Sequence, residues 1–321
     1  MKASAPGKII LFGEHAVVYG QPAIAVPVTH IRAEAMIEPA RGGDSARILA
    51  PGVGLDAHVE DLPLLHPLSV ALGGVLSACG VAEPLSDIPP FTLTIHSTIP
   101  VAGGMGSGAA VSVAVIRAVS TFLNHPLPDE QVNALAYEVE KLHHGTPSGI
   151  DNTVITYARP VYFVRGQPIE TFTVPTPFTI VIADTGVPSS TAITVGNVRK
   201  GWQADPDRFN PWFDRVGQIV RTARHAIESG TPLTLGPLMD ENHALLQQMG
   251  VSSPELDRLV VSAREGGALG AKLSGGGGGG NMIALVEAES AEKVAEALRK
   301  AGAVQTIVTE IYSSQSQIAL L

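Results

Sequence analysis

Residues 100–110 read PVAGGMGSGAA, and four of the six residues in 103–108 are glycines. Glycine lets a backbone turn sharply and approach a ligand closely. Residues 109–123 are apolar and rich in helix formers, so this loop leads into the first turn of a helix, where free N–H groups favour a phosphate. No lysine follows the glycines, which distinguishes the loop from the G-x-x-x-x-G-K phosphate loop. Alone, it predicts either a phosphate site or an ordinary strand-to-helix turn.

Three further segments carry distinctive motifs. Residues 5–23 read APGKIILFGEHAVVYGQPA, residues 144–152 read HGTPSGIDN, and residues 272–280 read KLSGGGGGG. The six consecutive glycines lie between apolar runs, so they belong inside a domain and not to a flexible linker. Each glycine in an ordered segment costs about 0.5–1 kcal/mol relative to alanine. The run therefore indicates close approach to a ligand or to the first glycine loop.

In this order and with these residues, the chain resembles the GHMP kinase superfamily, and most closely the mevalonate kinase family within it. The strings GEHAVVYG and HGTPSGID are the specific parts, and the resemblance covers both ends and the middle of the chain. It implies an α+β GHMP kinase fold. A ribosomal-S5-like N-terminal domain is expected over residues 1–175, with a ferredoxin-like C-terminal domain over residues 176–321.

The resemblance also implies an activity, which is ATP- and Mg²⁺-dependent phosphorylation of the 5-hydroxyl of mevalonate in isoprenoid precursor biosynthesis. One alternative is another GHMP enzyme, namely phosphomevalonate kinase, mevalonate 3-kinase or the related diphosphate decarboxylase. The other is a non-catalytic nucleotide-sensing protein of the same fold. The expected ligands are therefore ATP and a small acceptor molecule.

By the same resemblance, both glycine segments bind the nucleotide. The residues expected to do so are Ala102, Gly103, Gly104, Met105, Gly106, Ser107, Gly108, Gly275 and Gly277.

Two charged residues are expected to be catalytic by resemblance, Asp151 and Lys8. An aspartate beside Pro147 and Gly149 is most often a turn or capping residue in a loop, and a lysine at the start of an apolar strand can mark a strand edge. In the family, the matching aspartate takes or orients the proton of the substrate hydroxyl. The matching ammonium lies beside it and keeps the carboxylate ionised.

Glu140 and Ser107 are the expected metal ligands. A helix glutamate is commonly solvated, but the resemblance makes Glu140 a magnesium ligand, and Mg²⁺ needs only one or two protein carboxylates beside phosphate and water. The family usually has two serines after the glycine loop, the second of which binds the metal. This chain has Ser107 and then Gly108. Either Ser107, a water or a phosphate oxygen takes that coordination place, or metal binding is weaker.

The acceptor pocket is expected to contain Glu14 and His15, with Ser148 and Thr185 as further members. In the family, the residues matching Glu14 and His15 line a pocket where the carboxylate and hydroxyls of the substrate need donors. A histidine in this place is also compatible with a plain polar residue at the end of a strand.

Composition limits the other possibilities. The chain has 321 residues, 45% hydrophobic and 16% charged, with a net charge of −9. It has no basic cluster for nucleic acid or an acidic membrane, and Cys79 is its only cysteine, which precludes an intrachain disulfide. The N-terminus lacks a signal-peptide pattern and no apolar run is long enough to span a bilayer. A soluble cytoplasmic protein is expected, and a homodimer is compatible with the sequence.

The secondary-structure pattern supports a mixed α and β chain. Strands are predicted over residues 22–37 and 92–99, and a helix opening at Pro128 has a predicted buried stripe that ends at Leu142. Residues 202–212, polar and broken by prolines, are predicted to be a loop. Further helices are predicted to begin at residues 213, 235, 254 and 291.

Overall fold

The computed structural model describes residues 1–40, 45–81, 89–100, 103–144, 147–188 and 191–312. The chain divides into two compact units. The first unit holds Met1–Gly7, Ile31–Pro100 and Met105–Ala158, and the second holds Lys8–His30, Val101–Gly104 and Arg159–Leu321. The chain thus passes between the units more than once, and the domain boundary expected near residue 175 stays a prediction.

The first unit contains a sheet built on two long strands that also extend into the second unit. The strands are β1 (Lys2–Phe12), β2 (Ala23–Pro39), β3 (Arg47–Ala50), β4 (Leu55–His58) and β5 (Phe91–Ser97). Their order is β4-β3-β5-β2, with β1 also paired to β2. Strand β3 runs parallel to β5, whereas β2 runs antiparallel to it. The first five residues of β5 alternate between buried and half-buried, as its apolar/polar alternation predicts.

Four helices complete the first unit. They are α1 (Pro67–Ala78), α2 (Ser107–Phe122), α3 (Asp129–His144) and α4 (Ile150–Tyr157). Helix α2 packs against the other three helices and against β5. It is apolar on nearly every side, which suits a helix enclosed by its neighbours.

The predicted stripe of α3 is wrong at its end. Val132, Ala136 and Val139 are buried, but the side chain of Leu142 is 38% exposed. The buried side near the end of this helix is occupied instead by Val139 and Glu140, which are 1% and 4% exposed.

The second unit contains a four-stranded antiparallel sheet in the order β11-β8-β10-β9. These strands are β8 (Phe178–Asp184), β9 (Gly270–Ser274), β10 (Asn281–Val286) and β11 (Gln305–Ile311). Residues 161–171 contain an antiparallel hairpin of β6 (Val161–Phe163) and β7 (Glu170–Thr171). The first residues of β2 pair with β6.

The helices of the second unit are α5 (Thr191–Ala204), α6 (Pro206–Glu228), α7 (Leu235–Gln248), α8 (Pro254–Gly266) and α9 (Ala291–Lys300). Helices α7 and α8 pack on β9, and α9 packs on β8 and β11. Strands β9 and β10 are buried along their whole length. Among the described residues, no helix has the length and apolar character needed to cross a membrane.

The loop predicted over residues 202–212 is wrong, because α5 and α6 cover nearly all of it. Asp205 caps α6 by accepting a hydrogen bond from the N–H of Arg208 at 3.2 Å. Pro206 occupies the first position of the helix, where a missing N–H costs nothing. Pro211 lies inside the helix and removes one backbone hydrogen bond. Ring contacts of Phe209 with neighbouring aromatic side chains help hold this turn.

Candidate active site

The first glycine loop ends in a left-handed turn that starts α2. Gly104 and Gly106 have φ values of 70° and 74°, a conformation that favours glycine. Gly106 is the residue before the first turn of α2, whose opening N–H groups have no partner within the helix. The loop therefore offers backbone donors at the positive end of a helix. Ala102, expected to bind nucleotide, lies outside the described residues.

Glu140 lies beside the first turn of α2 and is not a solvated helix residue. It is 4% exposed. A Cβ atom placed on Gly108 would lie 3.6 Å from Glu140 Oε1. One carboxylate and the hydroxyl-bearing Ser107 thus occur around the same helix start. No cluster of three or more His, Cys, Asp or Glu side chains suited to a metal occurs in the described ranges.

Asp151 lies in the first turn of α4, so the prediction that it sits in a loop is wrong. Gly149, with φ of 86°, is the residue before this helix, and Ser148 Oγ accepts a hydrogen bond from the N–H of Ile150 at 3.3 Å. These two residues turn the chain into the helix. A carboxylate in a first helical turn is favoured by the helix dipole. Ser148 is exposed, and its expected contact with substrate stays a prediction.

Lys8 lies well inside β1 and is 7% exposed. Its side chain is therefore not solvated, although β1 pairs with β2 alone in the sheet as described. Lys8 belongs to the second unit and Asp151 to the first, and their expected pairing stays a prediction.

Glu14 and His15 are both buried in the second unit, at 4% and 5% exposure. The carboxylate of Glu14 accepts a hydrogen bond from the ammonium of Lys272. His15 has a φ of 59°, unusual for a residue with a side chain. Its Nε2 lies 2.9 Å from the carbonyl oxygen of Gly276, so Nε2 carries the proton and donates it. Burial lowers the pKa of His15, and the charge of Lys272 lowers it further.

The six-glycine run is shaped by its own packing. Five of its glycines have positive φ: Gly275, Gly277, Gly278, Gly279 and Gly280. A Cβ on Gly277 would lie 2.0 Å from Val251 O, and one on Gly279 would lie 2.5 Å from Val187 O. The expected close approach is thus partly to protein backbone. A Cβ on Gly275 would meet nothing within 4 Å, which leaves space for a ligand.

Neighbouring polar residues tie the glycine run to other parts of the second unit. Asn281 Nδ2 donates to the carbonyl of Gly103, in the first glycine loop. Ser274 Oγ donates to Ile10 O at 2.7 Å. Thr185 Oγ1 donates to Gly280 O at 3.0 Å and accepts from the N–H of Val187. The hydroxyl of Thr185 thus supports the run, and its expected contact with substrate stays a prediction.

Sequence reasoning missed Lys272 and His243. Lys272 is completely buried, and desolvation lowers its pKa against the opposing effect of Glu14. His243, on α7, accepts a hydrogen bond from the N–H of Leu273 at 3.3 Å, and burial lowers its pKa to about 4. For Lys272, the available signal was the position of a lysine inside the apolar run 269–273. No sequence pattern distinguishes His243 from a surface histidine.

Two family profiles match the chain. Residues 72–159 match the GHMP kinases N terminal domain, and residues 223–304 match the GHMP kinases C terminal domain. The chain is 39% identical to a mevalonate kinase of Thermococcus sibiricus, over 96% of this chain and 95% of that protein.

Solved structures agree with the sequence matches. The crystal structure of L. major mevalonate kinase in complex with R-mevalonate has a TM-score of 0.83 and 31% identity, covering 98% of this chain and 96% of that one. The Methanococcus jannaschii mevalonate kinase also has a TM-score of 0.83, with 26% identity and 98% of both chains covered. The α+β fold expected from the motifs is therefore the GHMP kinase fold, and this chain belongs to the GHMP kinase superfamily and, within it, to the mevalonate kinase family.

Proposed function

We propose that this chain transfers the γ-phosphoryl group of ATP to the 5-hydroxyl of mevalonate. Its similarity to mevalonate kinases over nearly the whole length carries the proposal. One of the structures that it resembles, at 31% identity, holds R-mevalonate. The placement of Lys8, Glu140 and Asp151 in regular elements is consistent with such an enzyme.

In this reaction the hydroxyl oxygen of mevalonate attacks the γ-phosphorus, the bond from that phosphorus to the bridging oxygen breaks, and ADP leaves with the bond electrons. We assign the proton of the hydroxyl to the carboxylate of Asp151. A positioned acid–base group of this kind contributes about 10²–10⁴-fold to the rate. The ammonium of Lys8 is assigned to the developing negative charge of the transferred group.

Nucleotide binding is assigned to the backbone N–H groups of the first glycine loop and to Gly275 and Gly277. Ser107 and Glu140 would hold Mg²⁺, with phosphate oxygens and water as the other ligands. When bound, the ion neutralises charge on the nucleotide phosphates. Glu14 and His15 are assigned to the acceptor, with Ser148 and Thr185 as weaker members of the same set.

A substrate panel tests the proposal against other GHMP activities. ADP release would be measured with ATP, Mg²⁺ and, in separate reactions, mevalonate, 5-phosphomevalonate or mevalonate 5-diphosphate. Of the three acceptors, only mevalonate is expected to be turned over. Phosphorus NMR of the product should show a phosphate on the primary oxygen. A product phosphorylated on the 3-hydroxyl, or release of carbon dioxide, would assign a different enzyme.

The same experiment addresses the non-catalytic alternative. Binding of a nonhydrolysable ATP analogue would be measured by calorimetry beside the turnover assay. Nucleotide binding without any turnover of the three acceptors would favour a nucleotide-sensing protein and contradict the proposed function.

A further inference from the structure

Lys272 and Glu14 form an ion pair that is closed off from solvent. Their side chains are 0% and 2% exposed. Burying two charges is costly because both lose their hydration, and apolar side chains of similar volume often serve stability equally well. Stability alone therefore gives no reason for this pair.

The ammonium of Lys272 is held by groups from two distant parts of the chain. It donates to Glu14 Oε1 and, at 2.6 Å, to the carbonyl of Leu273, and it lies 5.9 Å from the ring centre of Phe12. The neighbouring hydrogen bond from Ser274 Oγ to Ile10 O reinforces the same connection. Strand β9 is thus fixed to the end of β1 and to the residues that follow it.

The residue after Glu14 depends on this connection. His15 combines a φ of 59° with a ψ of −49°, a backbone conformation that a residue with a side chain keeps only when its surroundings hold it there. Its ring is held by the hydrogen bond to Gly276 O, its carbonyl accepts a hydrogen bond from the N–H of Val18 at 3.0 Å, and its covalent neighbour Glu14 is fixed by Lys272. Because Nε2 donates to Gly276, Nδ1 of the neutral ring can only accept a hydrogen bond. Nδ1 is buried and has no partner among the described residues.

We propose that Lys272 is a positioning residue of the acceptor site, where it fixes Glu14 and thereby holds His15 with its Nδ1 presented as a hydrogen-bond acceptor. This inference rests on the proposed function, since it assigns His15 to the substrate. Glu14 Oε2 is a second buried acceptor without a partner in the described part of the chain. Two acceptors on consecutive residues suit a hydroxyl donor of mevalonate better than its carboxylate, in contrast to the donors expected from the family.

The main test replaces Lys272 by methionine, which keeps the chain length of the side chain but removes the charge. We expect Lys272→Met to raise the KM for mevalonate about 10–100-fold, as misplacement of a binding group does. The affinity for an ATP analogue should stay within about threefold. The matched control is Lys300→Met, which removes an ammonium from an exposed ion pair with Glu296. An unchanged KM in folded Lys272→Met would overturn the proposal.

Loss of stability must be separated from loss of positioning. The double variant Lys272→Met/Glu14→Leu replaces the whole pair by apolar groups, so it should recover most of the stability lost in Lys272→Met. Its KM for mevalonate should stay raised. Glu14→Gln, which keeps Lys272, measures any contact that Glu14 itself makes with substrate. If the double variant recovers KM along with stability, Lys272 has only a structural role.

The third measurement does not depend on activity. Nitrogen NMR of ring-labelled histidine, with His15 assigned from His15→Asn, should show the neutral form protonated on Nε2 in the wild-type protein. In Lys272→Met the ring of His15 should take up its second proton at a higher pH, because a cation is lost and the carboxylate of Glu14 remains. His243, whose pKa Lys272 also lowers, provides an internal comparison.

The outcomes distinguish the two proposals. A wild-type protein without turnover of mevalonate contradicts the proposed function, whereas the NMR signature of His15 still reports on Lys272. A His15 signal that is identical in wild type and Lys272→Met overturns the positioning role even if the enzyme is active.

Discussion

The six-glycine run and the glycine at position 108 use the same residue type for different physical reasons. In the run, positive φ angles and backbone oxygens 2.0–2.5 Å from the missing Cβ atoms of Gly277 and Gly279 require glycine. Gly108 lies in α2, and its nearest neighbour would be Glu140 Oε1 at 3.6 Å, an ordinary contact distance. The run is therefore fixed by packing, whereas position 108 has room for a side chain. A shared residue type does not indicate a shared role.

The largest effect is expected in the unit that contains Gly108, at Asp151, whose proposed role is chemical. Asp151→Asn should lower kcat about 10²–10⁴-fold if the carboxylate takes the proton of the hydroxyl. Melting temperature and affinity for an ATP analogue should change little, because Asp151 is only half-buried in the first turn of α4. Steady-state kinetics measures kcat, and calorimetry measures the melting temperature and the affinity for the ATP analogue.

Asp129→Asn is the matched control for this substitution. Asp129 also lies in the first turn of a helix, α3, and its side chain is 49% exposed. Its kcat should be near that of the wild type. A normal kcat for Asp151→Asn would remove Asp151 from the catalytic role.

Substitutions inside the six-glycine run should lower the stability of the folded protein. Gly277→Ala has to place a Cβ 2.0 Å from Val251 O at a φ of 75°, so it should lower the free energy of unfolding by about 3 kcal/mol. Gly275→Ala has a φ of 91° but open space, and should cost only about 1 kcal/mol. Denaturant unfolding measures the two variants side by side. Equal losses would mean that backbone conformation alone, without the contact to Val251, determines the need for glycine.

His243, which is buried on α7 next to β9, should also make the stability of the protein depend on pH. The pKa of His243 is lowered from 6.5 to about 4 by burial. Between these values the unfolded chain binds a proton that the folded protein does not, so stability falls as pH is lowered through this window. The loss from this residue is about 3 kcal/mol and is complete near pH 4.

His243→Gln should remove this part of the pH dependence, and the exposed His225→Gln should not. Unfolding in urea at pH 7, 6, 5 and 4 gives the comparison for the three proteins. Because the pKa of His15 is also lowered, some dependence of the same sign should remain in His243→Gln. Parallel curves for His243→Gln and wild type would contradict the assignment.

Sequence periodicity predicted most regular elements, because buried faces impose their spacing on the residues. The alternation in β5 and the stripe of α3 over its first three turns are examples. The beginning of α6 was missed because Pro211 lies inside the helix, where a proline usually indicates a break. The Asp205 cap and Pro206 at the first helical position form a local helix-start signal that the loop prediction did not use.

The candidate site was predicted from motifs, but its supports were not. Lys272 and Glu14 are separated by 258 positions, and the hydrogen bond from Asn281 to Gly103 spans 178. Such partners follow from the fold and not from spacing along the chain. The motif predicted His15 as a pocket residue, yet its tautomer follows only from the position of Gly276 O.

The smallest expected effect tests whether position 108 really accepts a side chain. Gly108 is helical, so Gly108→Ser needs no left-handed backbone, and the new Cβ fits at 3.6 Å from Glu140 Oε1. The added hydroxyl supplies the ligand that the family usually has there. We expect the Mg²⁺ concentration for half-maximal activity to fall about threefold to tenfold, the value of one additional polar contact. Gly108→Ala, which adds the Cβ without the oxygen, is the control.

Glu140→Gln sets the scale for the same titration. Replacing the carboxylate by an amide should raise the Mg²⁺ concentration needed for half-maximal activity about tenfold or more. Mutation of a residue that only supports a metal ligand already lowers metal affinity about tenfold or more, and Glu140 is the proposed ligand itself. Activity would be followed against Mg²⁺ at saturating ATP for the four proteins. If Gly108→Ser and Gly108→Ala behave alike while Glu140→Gln is impaired, the metal uses Glu140 but no hydroxyl from position 108. If Glu140→Gln follows the wild-type curve, the metal is held by other groups, and the proximity of Glu140 to the first turn of α2 serves packing alone.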